Sequence, residues 1–574
     1  AVCVTLGVAH PTGYPLFTIL GHLWSLLPLC SSKIFQMNLF SALWIALASL
    51  GFFFASISFL KILEADANSK NKKSLPLEGS FKGIYPLAFI SALSFAFGKE
   101  IWSQATSLEV YPLQLFIFVL IFLLSFEIIR LNFHPTLLYL LFFILGLGFS
   151  NHLSTVLILP SILFMIFFRQ DGKIFIIKPS LKSLASLVLP FLLGLSPYLY
   201  LLIRSSQFPI FNWGWVSRSL DKFFYHVTGK QYRVWMFSSA ETIPENFKKF
   251  ITDLPFEFAY VGLFVVIIGL IYLLFRLRYI LIYLILAFVT CLIYSLNYQI
   301  HDIETYFSLA FIALFLTFVA GLYFIWVEFQ KISFSLILIP IISVLLNFEE
   351  NDQSKNNLVE TYTKNVVDNL ATNAIILSAQ WDYFCSAFWY LQQVEGYRKD
   401  VVLIEKELLR RTWYLEQLRR WYPQVINKSK LEMEKFLEQL ELFESDKLYD
   451  PSEIQFRFEN LLLSFVAKNI DERPVYITFD LLQNEYDARP FLEYEQVPQG
   501  FAIRLLKEFE PLETDLSKIH IEPFQKFRNS EHHLVQGIIQ AVSFNLVYLE
   551  NYLRLQGEEE KSKKILNLLE NLQK

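Results

Sequence analysis

Leu6-Gly7-Val8-Ala9-His10-Pro11-Thr12-Gly13-Tyr14-Pro15-Leu16 packs two prolines, two glycines, a histidine and a tyrosine into eleven residues of an otherwise apolar chain. Proline removes backbone donors and glycine opens positive φ, so the backbone must turn here rather than run on as a spanning helix. Such a turn at bilayer depth survives only where it lines a protein cavity. The segment is therefore a candidate ligand or active-site loop, and the rest of the sequence is read outward from it.

The chain has 574 residues, of which 54% are hydrophobic and 58 are Phe, with a net charge of −4 and a mean hydropathy of +0.41. Apolar runs near twenty residues long then predict a polytopic membrane protein. They fall near residues 36–60, 83–98, 110–129, 136–150, 154–168, 183–203, 257–275, 279–296, 306–327 and 332–347, about ten spans in all. From about residue 351 the composition turns charged and ordinary, which predicts a soluble domain. The expected organisation is a multipass domain over 1–350, a soluble α/β domain over 351–510 and a helical, repeat-like segment over 511–574. Near-neutral charge with no concentrated basic face excludes a nucleic-acid partner. Cys3, Cys30, Cys291 and Cys385 show no metal-ligand spacing and read as buried or incidental thiols.

Lysine and arginine set the orientation. Lys61, Lys70, Lys72, Lys73 and Lys82 share one loop, followed in alternate loops by Arg130, by Arg169, Lys173, Lys178 and Lys182, by Arg276 and Arg278, and by Lys331. The positive-inside rule places these in the cytoplasm. The His10 segment, residues 99–109, Asn151-His152, residues 204–255, residues 297–304 and the soluble domain then share the opposite face, which is the expected working face.

On that face, Lys99 to Tyr111 carries Glu100, Trp102, Gln104 and Glu109 at the end of a span. Glu100 and Gln104 share one helical stripe, and an acid so near hydrocarbon must be paired or face water; an interfacial anchor of Trp, Tyr and Lys is the plainer reading. Asn297 to Tyr306 is a polar hairpin with His301, Asp302 and Glu304. Its spacing matches no helical HxxxH or calcium-loop pattern, so no metal is assigned and it reads as a sugar- or phosphate-binding turn, or as a solvated loop. Asn212-Trp213-Gly214-Trp215 offers aromatic faces that either stack on sugars or sit in the membrane-interface belt. Lys230 and Arg233, with Arg204 and Arg218, can neutralise a phosphate. His152 reads first as a hydrogen-bonded structural group, and His134-Pro135 as a plain cytoplasmic turn. No Walker loop, dinucleotide fingerprint or nucleophile elbow is present, so energy must arrive in an activated substrate.

In the soluble region, residues 374–378, 401–404 and 475–478 read as strands alternating with amphipathic helices such as Trp413 to Trp421, and residues 531–572 as a helical hairpin. Trp381-Asp382-Tyr383 follows a strand, where α/β domains place binding loops.

The Gly7-Val8-Ala9-His10-Pro11-x-Gly13-Tyr14-Pro15-Leu16 run resembles the opening motif of a multipass family that includes the eukaryotic transmembrane O-mannosyltransferases and their bacterial-type relatives. Trp102-Ser103-Gln104-Ala105 with Glu109-Val110-Tyr111, Asn212-Trp213-Gly214, Lys230-Gln231-Tyr232, Asp302 four residues before Tyr306, and Tyr390-Leu391-Gln392 with Glu395-Gly396, Arg398 and Asp400 are similar to further family segments. The resemblance implies a GT-C-like membrane glycosyltransferase. It would move mannose or another hexose, with inversion, from a polyprenyl-phosphate carrier to an extracytoplasmic hydroxyl on a protein or glycan. No cofactor is assigned beyond the polyprenyl-phosphate sugar as donor substrate, a divalent metal is left open without support, and the partners are membrane lipid, the lipid-linked sugar and the acceptor. Glu100, Glu109 and Asp302 are then the candidate catalytic acids. His10, Tyr14, Trp102, Gln104, His152, Asn212, Trp213, Lys230, Tyr232, Arg233 and Tyr306 are the candidate substrate-binding residues. The family's acidic motif precedes the His-Pro string, so the base itself is expected upstream of Ala1. The location implied is a bacterial inner membrane with the C-terminal domain in the periplasm, or the endoplasmic-reticulum membrane with that domain in the lumen. A lipid-linked sugar transporter is the competing reading; it requires broken helices and internal symmetry, and the sequence shows neither. A membrane-anchored scaffold is the third.

Overall fold

The computed structural model describes residues 1–69, 83–171, 173–329, 333–530 and 532–573. Lys70, Lys72, Lys73, Lys82 and Lys331, used above for orientation, lie outside the described residues. The chain forms two compact units. One comprises Val2–Phe211 and Val216–Gln353, the other Ser354–Lys574 with Asn212–Trp215 and Ala1.

The first unit is helical. Its axis is the long helix Lys33–Ser69, packed on Tyr111–Arg130 and Ile84–Ala96. Phenylalanine pairs fill the interior: Phe52 stacks on Phe95 at 4.5 Å and Phe59 on Phe126 at 4.9 Å between ring centroids. Glycines set the closest helix crossing. A Cβ on Gly269 would lie 1.9 Å from the Thr317 carbonyl oxygen and one on Gly321 2.0 Å from that of Val265. Helices Val261–Arg276 and Ser308–Glu328 thus approach backbone to backbone, the small-residue packing that membrane helices favour.

Ten spans were expected, whereas five described helices are long and apolar enough to cross a membrane, or up to seven if each of two bent pairs is one span. The runs near 136–150 and 332–347 fold as Pro135–Asn151 and Leu338–Asn351, of 17 and 14 residues. The sequence also showed no broken helix, and the structure corrects that. Ile84–Ala96 bends by 63° into Lys99–Thr106, and Thr242–Glu257 by 100° into Val261–Arg276. The second break follows Pro255 and passes through Ala259 and Tyr260 at positive φ, residues that do not announce a turn.

Both breaks expose carbonyls that no helix turn can satisfy. Asn347 serves both: its Nδ2 donates to Phe97 O at 2.9 Å and to Phe256 O at 3.0 Å. The two bends are also tied by Glu257, whose Oε1 accepts the Glu100 N–H, and by Lys99, which pairs with Asp253 at 2.9 Å and Glu350 at 3.2 Å. A short antiparallel ribbon, β1 (Phe168–Asp171) with β2 (Lys173–Ile176), closes one loop.

The second unit holds a five-stranded sheet of order β4-β3-β5-β7-β6. Strands β3 (Ile375–Ser378), β4 (Val402–Glu405) and β5 (Val475–Ile477) are parallel and wholly buried, as their continuous apolar runs predict. The hairpin β6 (Glu495–Gln499) and β7 (Ala502–Leu506) adds antiparallel strands. The sequence reading missed it, because Pro498 and Gly500 interrupt the apolar pattern; Gly500 supplies the turn at φ 64°. Trp381–Cys385 forms a wide helical turn after β3 rather than an open loop. His533–Leu555 and Glu559–Gln573 pack together as a helical pair.

Replacing Asn347 with Leu orphans two buried carbonyls. We expect a loss of about 1–3 kcal/mol, seen as a lower thermal midpoint of the full chain in nanodiscs. An unchanged midpoint would show that the breaks do not depend on this side chain.

Candidate functional site

The His10 loop is held by its own chemistry. The Gly13 N–H donates to His10 O at 2.7 Å, and the Tyr14 hydroxyl donates to Pro11 O at 3.0 Å. Gly13 has φ 89° and Tyr14 φ 42°. Glycine is required at 13 for space as well, since a Cβ would meet Leu201 Cδ1 at 2.7 Å. Pro15 then starts helix Pro15–Ser25 at a position where its missing N–H costs nothing.

Around this loop the structure gathers an aromatic cage. His10 meets Tyr14 edge-on at 5.1 Å, and Tyr14 stacks on His152 at 5.8 Å with 4° between planes. His152 meets Tyr111 at 5.3 Å and Tyr306 at 5.8 Å, and Tyr298 meets Tyr306 at 5.3 Å. Tyr232 approaches from the other side, its hydroxyl 3.1 Å from His10 Nδ1. The segment around Tyr232 is fixed by antiparallel pairing with the Asn297 hairpin: Phe237 N–H donates to Asn297 O at 2.7 Å and Gln299 N–H to Trp235 O at 3.0 Å. Asn246 closes the same corner by donating to Ser295 O and Tyr298 O.

The two cage histidines hold opposite tautomers. His10 Nδ1 lies 2.9 Å from Pro11 O, an acceptor only, so Nδ1 carries the proton. His152 Nδ1 accepts from the Ser154 N–H at 3.2 Å, so its proton is on Nε2. Burial keeps both neutral, lowering His10 and bringing His152 down to about 4, with the nearby His10 as the second cause.

Glu109 and Asp302 complete the cluster. His10, Glu109 and Asp302 all present accessible surface, yet protein crowds His10 and Glu109 enough to desolvate them. Desolvation raises the Glu109 carboxyl to about 7, and the charge of Asp302 adds to the rise. Both chain segments end beside the same rings: Glu109 and Asp302 each interact electrostatically with Tyr111. A small cavity shares Tyr111 and Tyr306 with the cage and is lined also by Gln114 and Ser154.

Not every candidate belongs here. Glu100 and Gln104 are buried in a second acidic group with Glu257 and Asp253, where the Gln104 Oε1 and Glu257 Oε2 have no hydrogen-bond partner. Trp102 packs edge-on against Phe97 at 5.1 Å and Phe348 at 6.2 Å, in the role of a packing residue. Asn212 and Trp213 belong to the other unit. There the Asn212 N–H donates to Gln417 Oε1 at 3.1 Å, and Trp213 rests on Trp413 at 4.8 Å and Trp381 at 5.5 Å. Lys230 and Arg233 are exposed on the same short helical segment as Tyr232, with Lys230 5.6 Å from the Tyr225 ring centroid. Glu304 is engaged by Lys249 at 3.1 Å. Among the described residues no group of three or more His, Cys, Asp or Glu could hold a metal ion.

The sequence reading did not single out Tyr111, Tyr298 and His226. His226 is buried against Gly13 and hydrogen-bonded to the Ala9 backbone, and burial lowers it to about 3. The tyrosines look like interface anchors in sequence, and only the Asn297 hairpin pairing reveals their convergence.

With this geometry in place, comparison with known proteins is informative. The family model described as protein O-mannosyl-transferase TMEM260 N-terminal domain matches residues 1–174, and that of TMEM260-associated domain 2 matches residues 359–436. The chain is 24% identical over 583 residues to protein O-mannosyl-transferase tmem260 of Dictyostelium discoideum, covering 91% of this chain and 65% of that protein. It is 26% identical over 451 residues to protein O-mannosyl-transferase TMEM260 of Mus musculus, covering 73% of this chain and 60% of that one. The chain thus spans less than two thirds of the length of these relatives. The matches show that the chain is similar, in these parts, to proteins named protein O-mannosyl-transferase TMEM260.

Because Asp302 helps hold the Glu109 proton, Asp302→Asn should lower the pH at which Glu109 ionises from about 7. Carboxyl bands in difference infrared spectra, assigned with Glu109→Gln, read the midpoint. A midpoint unmoved or raised by Asp302→Asn would mean the two carboxylates do not share a site.

Proposed function

We propose, on the premise of similarity to proteins named protein O-mannosyl-transferase TMEM260, that the chain is a GT-C-type membrane glycosyltransferase. It moves a hexose, mannose by analogy with the relatives' names, from a polyprenyl-phosphate carrier to a Ser or Thr hydroxyl of a protein on the extracytoplasmic side. The Lys/Arg loop pattern supports that orientation and puts the C-terminal unit on the same side. The membrane is a bacterial inner membrane or that of the endoplasmic reticulum.

One observation carries the reading: Glu109 is reached by solvent yet desolvated, under the charge of Asp302 and near a histidine-tyrosine cage, just ahead of the apolar helix Tyr111–Arg130. A carboxyl held near neutrality is suited to accept a proton. In the proposed reaction Glu109 takes the role that the resemblance gives to an acid ahead of the His-Pro string: the acceptor hydroxyl gives its proton to Glu109 while its oxygen bonds to the anomeric carbon. The bond from that carbon to the carrier's phosphate oxygen breaks, and the phosphate leaves with the electron pair. A single displacement inverts the centre. Aromatic faces of the cage hold the sugar ring, and Lys230, Arg233 and Arg204 are the cations available to the departing phosphate.

The two bent helix pairs also suit a transporter of lipid-linked sugar, in which broken helices line the substrate path. That reading requires translocation without an acceptor, and it leaves a proton acceptor near neutrality without work.

The test is transfer of radiolabelled mannose from polyprenyl-phosphate mannose to a Ser/Thr peptide by the full chain in nanodiscs. Glu109 acts as a base only when ionised, so the rate should fall as pH drops through about 7. Glu109→Gln should lower kcat by about 10²–10⁴-fold. Wild-type turnover with an unaffected Glu109→Gln variant would remove Glu109 from the chemistry, and sugar movement across the bilayer without transfer would favour the transporter.

A further inference from the structure

We propose that Gln114, Asn151 and Thr155 are positioning residues, whose buried side chains form one hydrogen-bond network that sets the Glu109 corner against the His152 wall of the cage. The inference rests on the reading of Glu109 as the base.

The network runs between two backbone carbonyls. Asn151, the last residue of helix Pro135–Asn151, donates through Nδ2 to Val110 O at 3.2 Å and to Gln114 Oε1 at 3.0 Å. Gln114, in helix Tyr111–Arg130, donates through Nε2 to Thr155 Oγ1 at 2.8 Å. The Thr155 hydroxyl then donates to His152 O at 2.9 Å. Carbonyls only accept, so the sense of every bond between them is fixed. Turning over the Gln114 amide would set its NH₂ against that of Asn151, two donors face to face. Asn151 and Thr155 are wholly buried and Gln114 is 3% exposed, where a partly satisfied network is costly. Gly148 makes the room: a Cβ there would lie 2.8 Å from Thr155 Oγ1.

The two carbonyls belong to opposite sides of the candidate site. Val110 follows Glu109, whose carboxylate accepts from the Val110 backbone, and precedes Tyr111. His152 stacks on Tyr14 and meets Tyr111 at 5.3 Å. Both sides lie where regular helix is interrupted. Residues 107–110 link helices Lys99–Thr106 and Tyr111–Arg130, and His152 is extended at φ −151°. A helical ladder therefore fixes neither side, and the network supplies the restraint. A general base has to reach the acceptor oxygen within hydrogen-bond distance, and a misplacement of about 1 Å costs about 10²-fold in rate.

Thr155 separates positioning from packing, because its hydroxyl and its methyl can be removed one at a time. Thr155→Val keeps the volume and loses the hydroxyl, while Thr155→Ser keeps the hydroxyl and loses the methyl. In the full chain in nanodiscs, with polyprenyl-phosphate mannose as donor, Thr155→Val should lower kcat by about 10²-fold with donor KM unchanged. Thr155→Ser should keep the wild-type kcat. Gln114→Met, of similar size but without the amide, should behave as Thr155→Val does. A second readout needs no turnover. The Glu109 carboxyl band in difference infrared spectra, which titrates at about 7 in the wild type, should move down in Gln114→Met, because burial is the largest cause of its rise and a released corner admits water. A Thr155→Val enzyme that works while Thr155→Ser fails would assign these residues to packing and overturn the proposal, as would an unmoved Glu109 band in folded Gln114→Met. If Thr155→Val does not fold, the Gln114→Met titration decides alone. Wild-type transfer matched by both Thr155→Val and Gln114→Met defeats the positioning role only. A wild type inert with every polyprenyl-phosphate hexose defeats the transferase reading, and the infrared midpoint still tests the network.

Discussion

Backbone polar groups inside a bilayer have no water to fall back on, and the architecture of the membrane unit follows from where they are left without a helical partner. Two spanning segments break, and the Asn347 amide caps a carbonyl at each break. The Asn297 hairpin is closed by Asn246, and the carbonyls ahead of His10 are held by Tyr200 and Arg204. The irregular stretches are thus held by polar side chains from neighbouring elements: Asn347 serves both breaks, Asn246 the hairpin, and Tyr200 with Arg204 the His10 loop.

Desolvation by the surrounding protein explains the electrostatics of the cluster. Histidines stay neutral and a carboxyl is pushed toward neutrality because burial penalises charge, and because Asp302 adds a like charge beside Glu109. Opposite tautomers of His10 and His152 put a ring N–H and a ring lone pair at different points of one aromatic wall. A wall with stacking faces, one donor, one acceptor and a carboxyl near its midpoint suits a neutral, hydroxyl-rich ring whose reaction releases a proton.

The sequence made much of this legible, for a physical reason. His10, Glu109, Asp302, Tyr14, His152, Tyr232 and Tyr306 stand out because polar groups beside long apolar runs are costly unless used; His10, Tyr14, His152, Tyr232 and Tyr306 are in contact through their rings and hydroxyls, and Glu109 and Asp302 act electrostatically on Tyr111. Trp102, Asn212 and Trp213 carried the same signal through family likeness, yet Trp102 packs on Phe97, Trp213 packs on Trp381 and Trp413, and the Asn212 N–H donates to Gln417. The first helix break falls at Phe97-Gly98 and the second follows Pro255, inside runs whose apolar pattern continues, and residues 258–260 of the second, Phe-Ala-Tyr, contain neither glycine nor proline. Glu257 was missed because its partner is a backbone N–H on a distant bend. In the second unit the buried parallel strands were readable as apolar runs, while the β6–β7 hairpin was hidden by Pro498 and the short turn at Gly500.

The central claim is that one outward recess holds the sugar between the histidine-tyrosine cage and Glu109. The most direct measurement is a cryo-electron microscopy structure of the full chain in nanodiscs with a non-cleavable phosphonate analogue of polyprenyl-phosphate mannose. The account predicts the hexose ring against His10, Tyr111 and Tyr306, with Glu109 on the face opposite the phosphonate. A hexose bound elsewhere, with that recess empty, would contradict it.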